Sequence, residues 1–265
     1  MFRKYIWKLK LLIKSIKILK NWAIYPQVYF KKKSNQYVIF KTRDNFKFKI
    51  RTNEVSSDIH VFTEIWLENV YFKKFNLEKC ETIIDIGAHI GLFSIYAYSK
   101  FRNAKIYSIE ADQENFKMLL ENNELNGNII NPINSVISSK NGEVDFYIST
   151  SDHAANSIHK KSSKSVKMQT KTLEKIFEEN KLTYCDFLKM DCEGAEYEII
   201  LSTPDKILSN IKNICIEYDI LTNLEFTIKD IQKKLLKNNF QVEINQVSKK
   251  MGFLYAKNKS NMRSE

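Results

Sequence analysis

Apolar residues recur along the first twenty-odd positions at steps of three and four. Phe2, Tyr5, Ile6, Leu9, Leu12, Ile13, Ile16, Leu19 and Ala23 share one face, which predicts an amphipathic helix over residues 2 to 23. Arg3, Lys10, Lys14 and Lys17 lie opposite, Lys4 and Lys8 on the flank, Lys20 on the apolar side, and Trp7, Leu11 and Ile18 among the charges. Residues 34 to 52 change to period two and predict a β-hairpin turning at Asp44-Asn45. Residues 56 to 71 predict a helix with an Asp or Ser cap. From residue 82 strands and helices alternate. Strands are predicted at 83–86, 105–109, 129–137, 186–190 and 213–218. Helices are predicted at 92–99, at 112–126 between the Asp112 cap and Gly127, over "TLEKIFEEN", and at 227–238. "EVDFYIS" and "SVKMQT" read as an added antiparallel pair, joined by a polar loop over 150–164, and "QVEINQ" with "GFLYAKN" as a closing hairpin. Repeated βα units predict an α/β fold with a doubly wound, mostly parallel sheet. The divisions expected are a basic amphipathic arm at 1–33, a hairpin and helix packed on the core at 34–80, the α/β domain at 81–258, and a frayed tail at 259–265.

Charge and composition sharpen this picture at three points. Ten of the eleven net positive charges lie in residues 1–33, where Arg3 and nine lysines meet no acid, so the body of the chain is near neutral. A basic amphipathic helix suits an anionic membrane surface, and packing on its own domain or on a second subunit is the slightly preferred reading. Only 6 of 265 residues are glycine, and Gly87, Gly91 and Gly194 fall in the two motifs below, where backbone geometry or a close approach needs them. The four cysteines, Cys80, Cys185, Cys192 and Cys215, have neither C-x-x-C spacing nor a nearby His in ligand register, which fits a reduced, cytoplasmic protein. The apolar runs are too short for a spanning helix, and lysines interrupt the N-terminus too often for a signal-peptide core.

The first motif is "IIDIGAHIG", a strand followed at once by a glycine turn and a helix. In a doubly wound sheet such a turn lies at the carboxyl end where ligands bind. Glu110, at the end of the next strand, can accept both hydroxyls of a ribose. The turn admits a ligand-free reading, NAD, or S-adenosylmethionine. The dinucleotide pattern G-x-G-x-x-G is absent, and His89 stands where a close phosphate wants a small residue. Asp85 can meet the positive amino-acid end of S-adenosylmethionine. The second motif is "FLKMDCEGAEYEII", with Asp191, Glu193 and Glu196 after an apolar strand. Unpaired buried acids are costly. Glu196 suits the start of the next helix, and Asp191 and Glu193 are placed to face the cleft, where one carboxylate can take a proton from an attacking hydroxyl.

These motifs, with "IYSIEADQENFKMLLENNELN", "NGEVDFYIS" and "KTLEKI", resemble the FkbM family of S-adenosylmethionine-dependent methyltransferases over about residues 56–220. The K-x-D-x-E-G-x-E segment is specific to that family. The resemblance implies the seven-stranded class I, Rossmann-like sheet in the order 3-2-1-4-5-7-6. It implies methylation of a hydroxyl, on a sugar or a polyketide-like metabolite. Carried over, Asp85, Gly87, His89 and Gly91 form the cofactor turn, Glu110 holds the ribose, and Ser135 and Val136 border the adenine; Lys189, Asp191, Glu193 and Glu196 fill the second motif. His89 departs from the family's usual Asn and either bonds the cofactor or fills the turn, the latter being preferred. Glu174 stands where the family usually has Asp and reads as a helix-start acid.

The expected function is therefore O-methyl transfer from S-adenosylmethionine to a saccharide hydroxyl in a glycan or glycolipid, with Asp191 and Glu193 as the catalytic acids. No metal is expected, because Asp191 and Glu193 lack an evident third ligand. His153 and His159 in the polar loop are rival bases, more readily read as solvated. The expected location is cytoplasmic, with peripheral contact at the inner face of a membrane through residues 1–33. The alternatives are a nucleic-acid methyltransferase using the basic arm, disfavoured by the neutral body, and a noncatalytic membrane-associated scaffold, disfavoured by the intact Asp85, Glu110 and Asp191.

Overall fold

The computed structural model describes residues 2–30, 36–53, 56–147, 165–220 and 226–262. Along the chain, α1 (Phe2–Ile18) and α2 (Ile24–Tyr29) precede a hairpin of β1 (Tyr37–Lys41) and β2 (Lys47–Arg51). Its turn holds Asn45 at φ 68°, as the Asp-Asn pair predicts. α3 (Asp58–Phe62) continues directly into a π turn, Thr63–Leu67. β3 (Thr82–Ile86), α4 (Leu92–Lys100), β4 (Lys105–Glu110) and α5 (Gln113–Glu124) follow. Asp112 caps α5 by accepting the Asn115 amide, and Gly127 beyond it has φ 81°. β5 (Asn131–Asn134) breaks at Ser135, and β6 (Val136–Ile137) leaves the main sheet to pair with β8 (Ser165–Lys171), which also pairs antiparallel with β7 (Gly142–Tyr147). The single strand expected over 129–137 is thus two. Asn134 holds the break by donating its side-chain amide to the Glu110 and Ala111 carbonyls. α6 (Leu173–Glu179), β9 (Cys185–Met190), α7 (Glu196–Ser202), α8 (Asp205–Leu208), β10 (Ile211–Asp219), α9 (Ile228–Lys237), β11 (Phe240–Gln246) and β12 (Met251–Asn258) complete the chain. Lys259–Met262 form a 3-10 turn where a frayed tail is expected.

The seven-stranded sheet runs β11-β12-β10-β9-β3-β4-β5. β10, β9, β3, β4 and β5 are mutually parallel, and β12 is antiparallel to both neighbours. This is the class I methyltransferase, Rossmann-like order. β3 and β9 are buried at every position, as central parallel strands covered on both faces must be. Successive side chains point to opposite faces. Ile83, Ile106, Phe187 and Cys215 therefore join one core, and Ile84, Ile109, Leu188 and Ile214 the other. The first core also takes in the N-terminal segment through packed rings, among them Phe40 stacked on Phe62 (5.3 Å), Phe48 stacked on Trp66 (5.2 Å) and Phe72 edge-on to Phe187 (4.7 Å).

The amphipathic arm is turned from its expected orientation. Leu11, Ser15 and Leu19 are buried against the domain, while Ile6, Leu9 and Ile13 of the expected apolar face are exposed by 40, 57 and 46%. Two features account for the rotation. Small Ser15 permits close approach, and its hydroxyl bonds the Leu12 carbonyl. Arg43 donates from Nε and Nη2 to the Ile16 carbonyl, and Trp7 Nε1 donates to Glu68, fastening the helix at both ends. Among the described residues no helix is long and apolar enough to cross a membrane.

Candidate active site

A cavity of about 180 Å³ opens at the carboxyl ends of β3, β4 and β9, between the first glycine turn and the Asp191 loop. Gly87 makes this meeting possible. Its φ is 74°, and a Cβ there would lie 1.8 Å from the Asp191 carbonyl oxygen. The two motifs touch backbone to backbone, and the Asp191 amide donates to the Ile86 carbonyl. Four of the turn's N–H groups are occupied: Gly87 and Ala88 donate to the Ile109 carbonyl, His89 to the Glu110 carboxylate, and Gly91 to the Ala88 carbonyl. A pyrophosphate cradle needs such donors free, so the turn does not suit a dinucleotide.

Glu110 is buried at the rim. Oε1 accepts the Asp112 amide (2.8 Å) and Oε2 the His89 amide (2.7 Å), which aims the carboxylate and leaves each oxygen a second lone pair. Burial, partly offset by these two amides, raises its pKa to about 7. Ser135 and Val136 line the cavity beside it, with Ile137 and Phe146. Asp85 does not reach the cavity. It is fully buried beneath the turn, where Ser94 donates to it at 2.6 Å and Lys189 Nζ lies 3.2 Å from its Oδ1. Lys189 also donates to the Gly87 carbonyl at 2.7 Å. Burial opposes the ammonium charge, but Asp85 and Asp191 outweigh it and hold Lys189 above the usual range. Gly91 likewise lies off the cavity, at φ 85° where α4 begins.

His89, at φ 52°, lines the cavity and is gripped from behind. Arg51 Nη2 lies 2.9 Å from its Nε2, and a guanidinium only donates, so Nε2 accepts and the ring is neutral. Burial, then Arg51, depress its pKa against the pull of Asp58. Arg51 is itself held by a two-pronged pair with Asp58 and a bond to Asn115 Oδ1. The Asp58 carboxylate, expected as a helix cap, is thus engaged by Arg51. Neither residue was expected at the site.

The Asp191 loop bends at Glu193, with φ 56°, and both residues line the cavity. Glu196 folds back to accept the amides of Cys192 and Gly194, a loop clasp at the start of α7. Three further residues converge here: Glu64 from the π turn, Tyr71, and Glu217 on β10. Tyr71 Oη is 3.0 Å from Asp191 Oδ2 and 2.9 Å from Glu217 Oε2. The sole signal for Glu217 in the sequence is an acid interrupting the apolar run "NICIEY". Among the described residues no group of three or more His, Cys, Asp or Glu could hold a metal ion. His153 and His159 lie outside the described residues.

Residues 85–255 match the family model described as the methyltransferase FkbM domain. A comparison with curated protein sequences gives no match. Similar solved structures include precorrin-6y C5,15-methyltransferase of Geobacter metallireducens GS-15 (14% identity, TM-score 0.47, covering 73% of this chain and 88% of that one). They also include a SAM-dependent methyltransferase of Aquifex aeolicus (17%, 0.41, 73% and 92%) and M. jannaschii TYW2 in complex with AdoMet (15%, 0.43, 84% and 85%).

Proposed function

We propose, from the premise that this chain belongs to the FkbM methyltransferase family, that it transfers the methyl group of S-adenosylmethionine to a hydroxyl oxygen of a saccharide in a glycan or glycolipid. S-adenosylmethionine is the family's methyl donor; it supplies a methyl group activated on a sulfonium. Glu110 would accept the ribose hydroxyls on its open lone pairs. Ser135, Val136 and Phe146 would border the adenine, and Gly87 and His89 the amino-acid end. The occupied N–H groups of the turn fit a ligand without phosphate. Residues 81–258 form the methyltransferase unit in this reading, and residues 34–80 brace its cofactor turn through Arg51 and Asp58.

The charge of the acceptor end carries the choice of acceptor. Glu64, Asp191 and Glu193 line it, and Lys189, the cation among the lining residues, is committed to Asp85 and the Gly87 carbonyl. A phosphate-bearing strand meets repulsion there, whereas a neutral hydroxyl finds acceptors for its proton. That disfavours nucleic acid. Asp191 or Glu193 takes the proton as the oxygen attacks. The exposed Ile6, Leu9 and Ile13, flanked by exposed Lys10, Lys14 and Lys17, support docking of α1 on an anionic membrane, which would favour a lipid-linked acceptor.

The test is transfer of labelled methyl from S-adenosylmethionine to a panel of saccharides, free and lipid-linked, with RNA in parallel. Incorporation as a methyl ether on a sugar is expected. Incorporation into RNA, or as an N-methyl group, overturns the reading.

A further inference from the structure

Tyr71 presents a proton-counting problem. Its hydroxyl oxygen is within hydrogen-bonding distance of two carboxylate oxygens, Asp191 Oδ2 and Glu217 Oε2, yet it carries one proton. Three oxygens joined by two hydrogen bonds need two protons. Tyr71 keeps its own: it is buried, with rings of Phe93 and Phe253 packed edge-on at 5.2 and 5.9 Å. The second proton therefore sits on one of the carboxyls. Asp191 is the more exposed and faces Lys189 at 3.6 Å; Glu217 lies deeper.

Resting on the methyltransferase reading, we propose that Glu217 stands as a neutral acid donating to Tyr71, which donates to Asp191 Oδ2, so that Asp191 is the catalytic base and Glu217 and Tyr71 are its positioning residues. Asp191 Oδ2 faces both Tyr71 and Lys189, while Oδ1 has no hydrogen bond among the described residues and points the choice of proton-accepting atom there. As the acceptor oxygen's electron pair forms the new C–O bond, the C–S pair returns to sulfur and the hydroxyl proton passes to Asp191 Oδ1. No further oxidant, metal or base enters the balance. Of the groups facing Glu217, the acids favour its neutral form and Lys189 opposes it. Asp191 and Lys189 approach from the end of β9, Glu64 from the π turn, Tyr71 from the segment after it, and Cys215 from its own strand. Burial first, then the Asp191 and Glu64 charges, push Glu217 well above the ordinary carboxylate range.

Two measurements on the full chain test this. In methyl transfer, Glu217→Gln keeps a donor to Tyr71 and should lose less kcat than Glu217→Leu, which removes that donor, whereas Asp191→Asn should lose about 10²–10⁴-fold. Tyr71→Phe, which removes the hydrogen bond to Asp191 Oδ2, should lower kcat more than it raises KM. In urea unfolding, which needs no acceptor, an acid kept protonated by the fold destabilises the native state as pH rises above its unfolded value. Glu217→Gln should therefore gain stability relative to wild type between about pH 5 and pH 8. A Glu217→Gln variant as inactive as Asp191→Asn, or one that loses stability over that interval, overturns the proposal. Failure of every saccharide to accept methyl while the unfolding result holds would instead count against the proposed acceptor alone.

Discussion

Replacing Gly87 by alanine tests the junction on which the site is built. The new Cβ would begin 1.8 Å from the Asp191 carbonyl oxygen and 2.8 Å from its carbon. Reaching an ordinary carbon–oxygen contact requires the ends of β3 and β9 to part by roughly 1.5 Å. Backbone at φ 74° adds a left-handed penalty of about 1–2 kcal/mol for a residue with a Cβ. Forced repacking between two fully buried strands adds about 1–3 kcal/mol. The sum, about 2–5 kcal/mol, is a large share of the roughly 5–15 kcal/mol that stabilises a typical domain. Chemical denaturation with a circular dichroism readout measures it directly. If the variant still folds, Asp191 is displaced by an ångström or more, which costs about 10²-fold in a rate governed by alignment. An alanine variant with wild-type denaturation and wild-type transfer would refute the close approach of the two motifs.

Three other outcomes follow from the same geometry. Asp191→Asn should lower kcat by about 10²–10⁴-fold while S-adenosylhomocysteine still binds, as single-turnover kinetics beside calorimetry would show. Asp58→Ala leaves the buried Arg51 guanidinium uncompensated and should cost about 3–5 kcal/mol in denaturant titration, since both partners of the pair are more than nine-tenths buried. Glu110, raised to about 7, is half-protonated near neutrality; ribose hydroxyls donate to its ionised form, so binding should release protons and tighten from about pH 6 to pH 8. Titrations in buffers of differing protonation enthalpy would report that release, and proton uptake would contradict it.

The parallel sheet was legible because its strands are short, mostly apolar runs alternating with capped helices, signals that belong to a single stretch of chain. The orientation of α1 was not, because periodicity marks two apolar stripes there, and the choice between them depends on Ser15, Arg43 and Trp7 meeting distant partners. Ser135 hid its strand break for a similar reason: the side chain that holds the break, Asn134, bonds carbonyls 23 and 24 residues earlier. Glu110, Asp191 and Glu193 stood out as acids at strand ends. Tyr71 and Glu64 sat within a helix-like run and looked like ordinary members of it, although the π turn that carries Glu64 is a form frequent at functional sites. Arg51 read as the last charge of a hairpin. Only the fold shows that it fixes His89, 38 residues away.

Calorimetric titration of S-adenosylhomocysteine into the folded full-length chain, beside its Glu110→Ala variant and with NAD as a control, addresses the central claim most directly. The account predicts one site, weakened at least tenfold in the variant, and no uptake of NAD. No heat from S-adenosylhomocysteine, equal affinity in the variant, or binding of NAD in its place would contradict it.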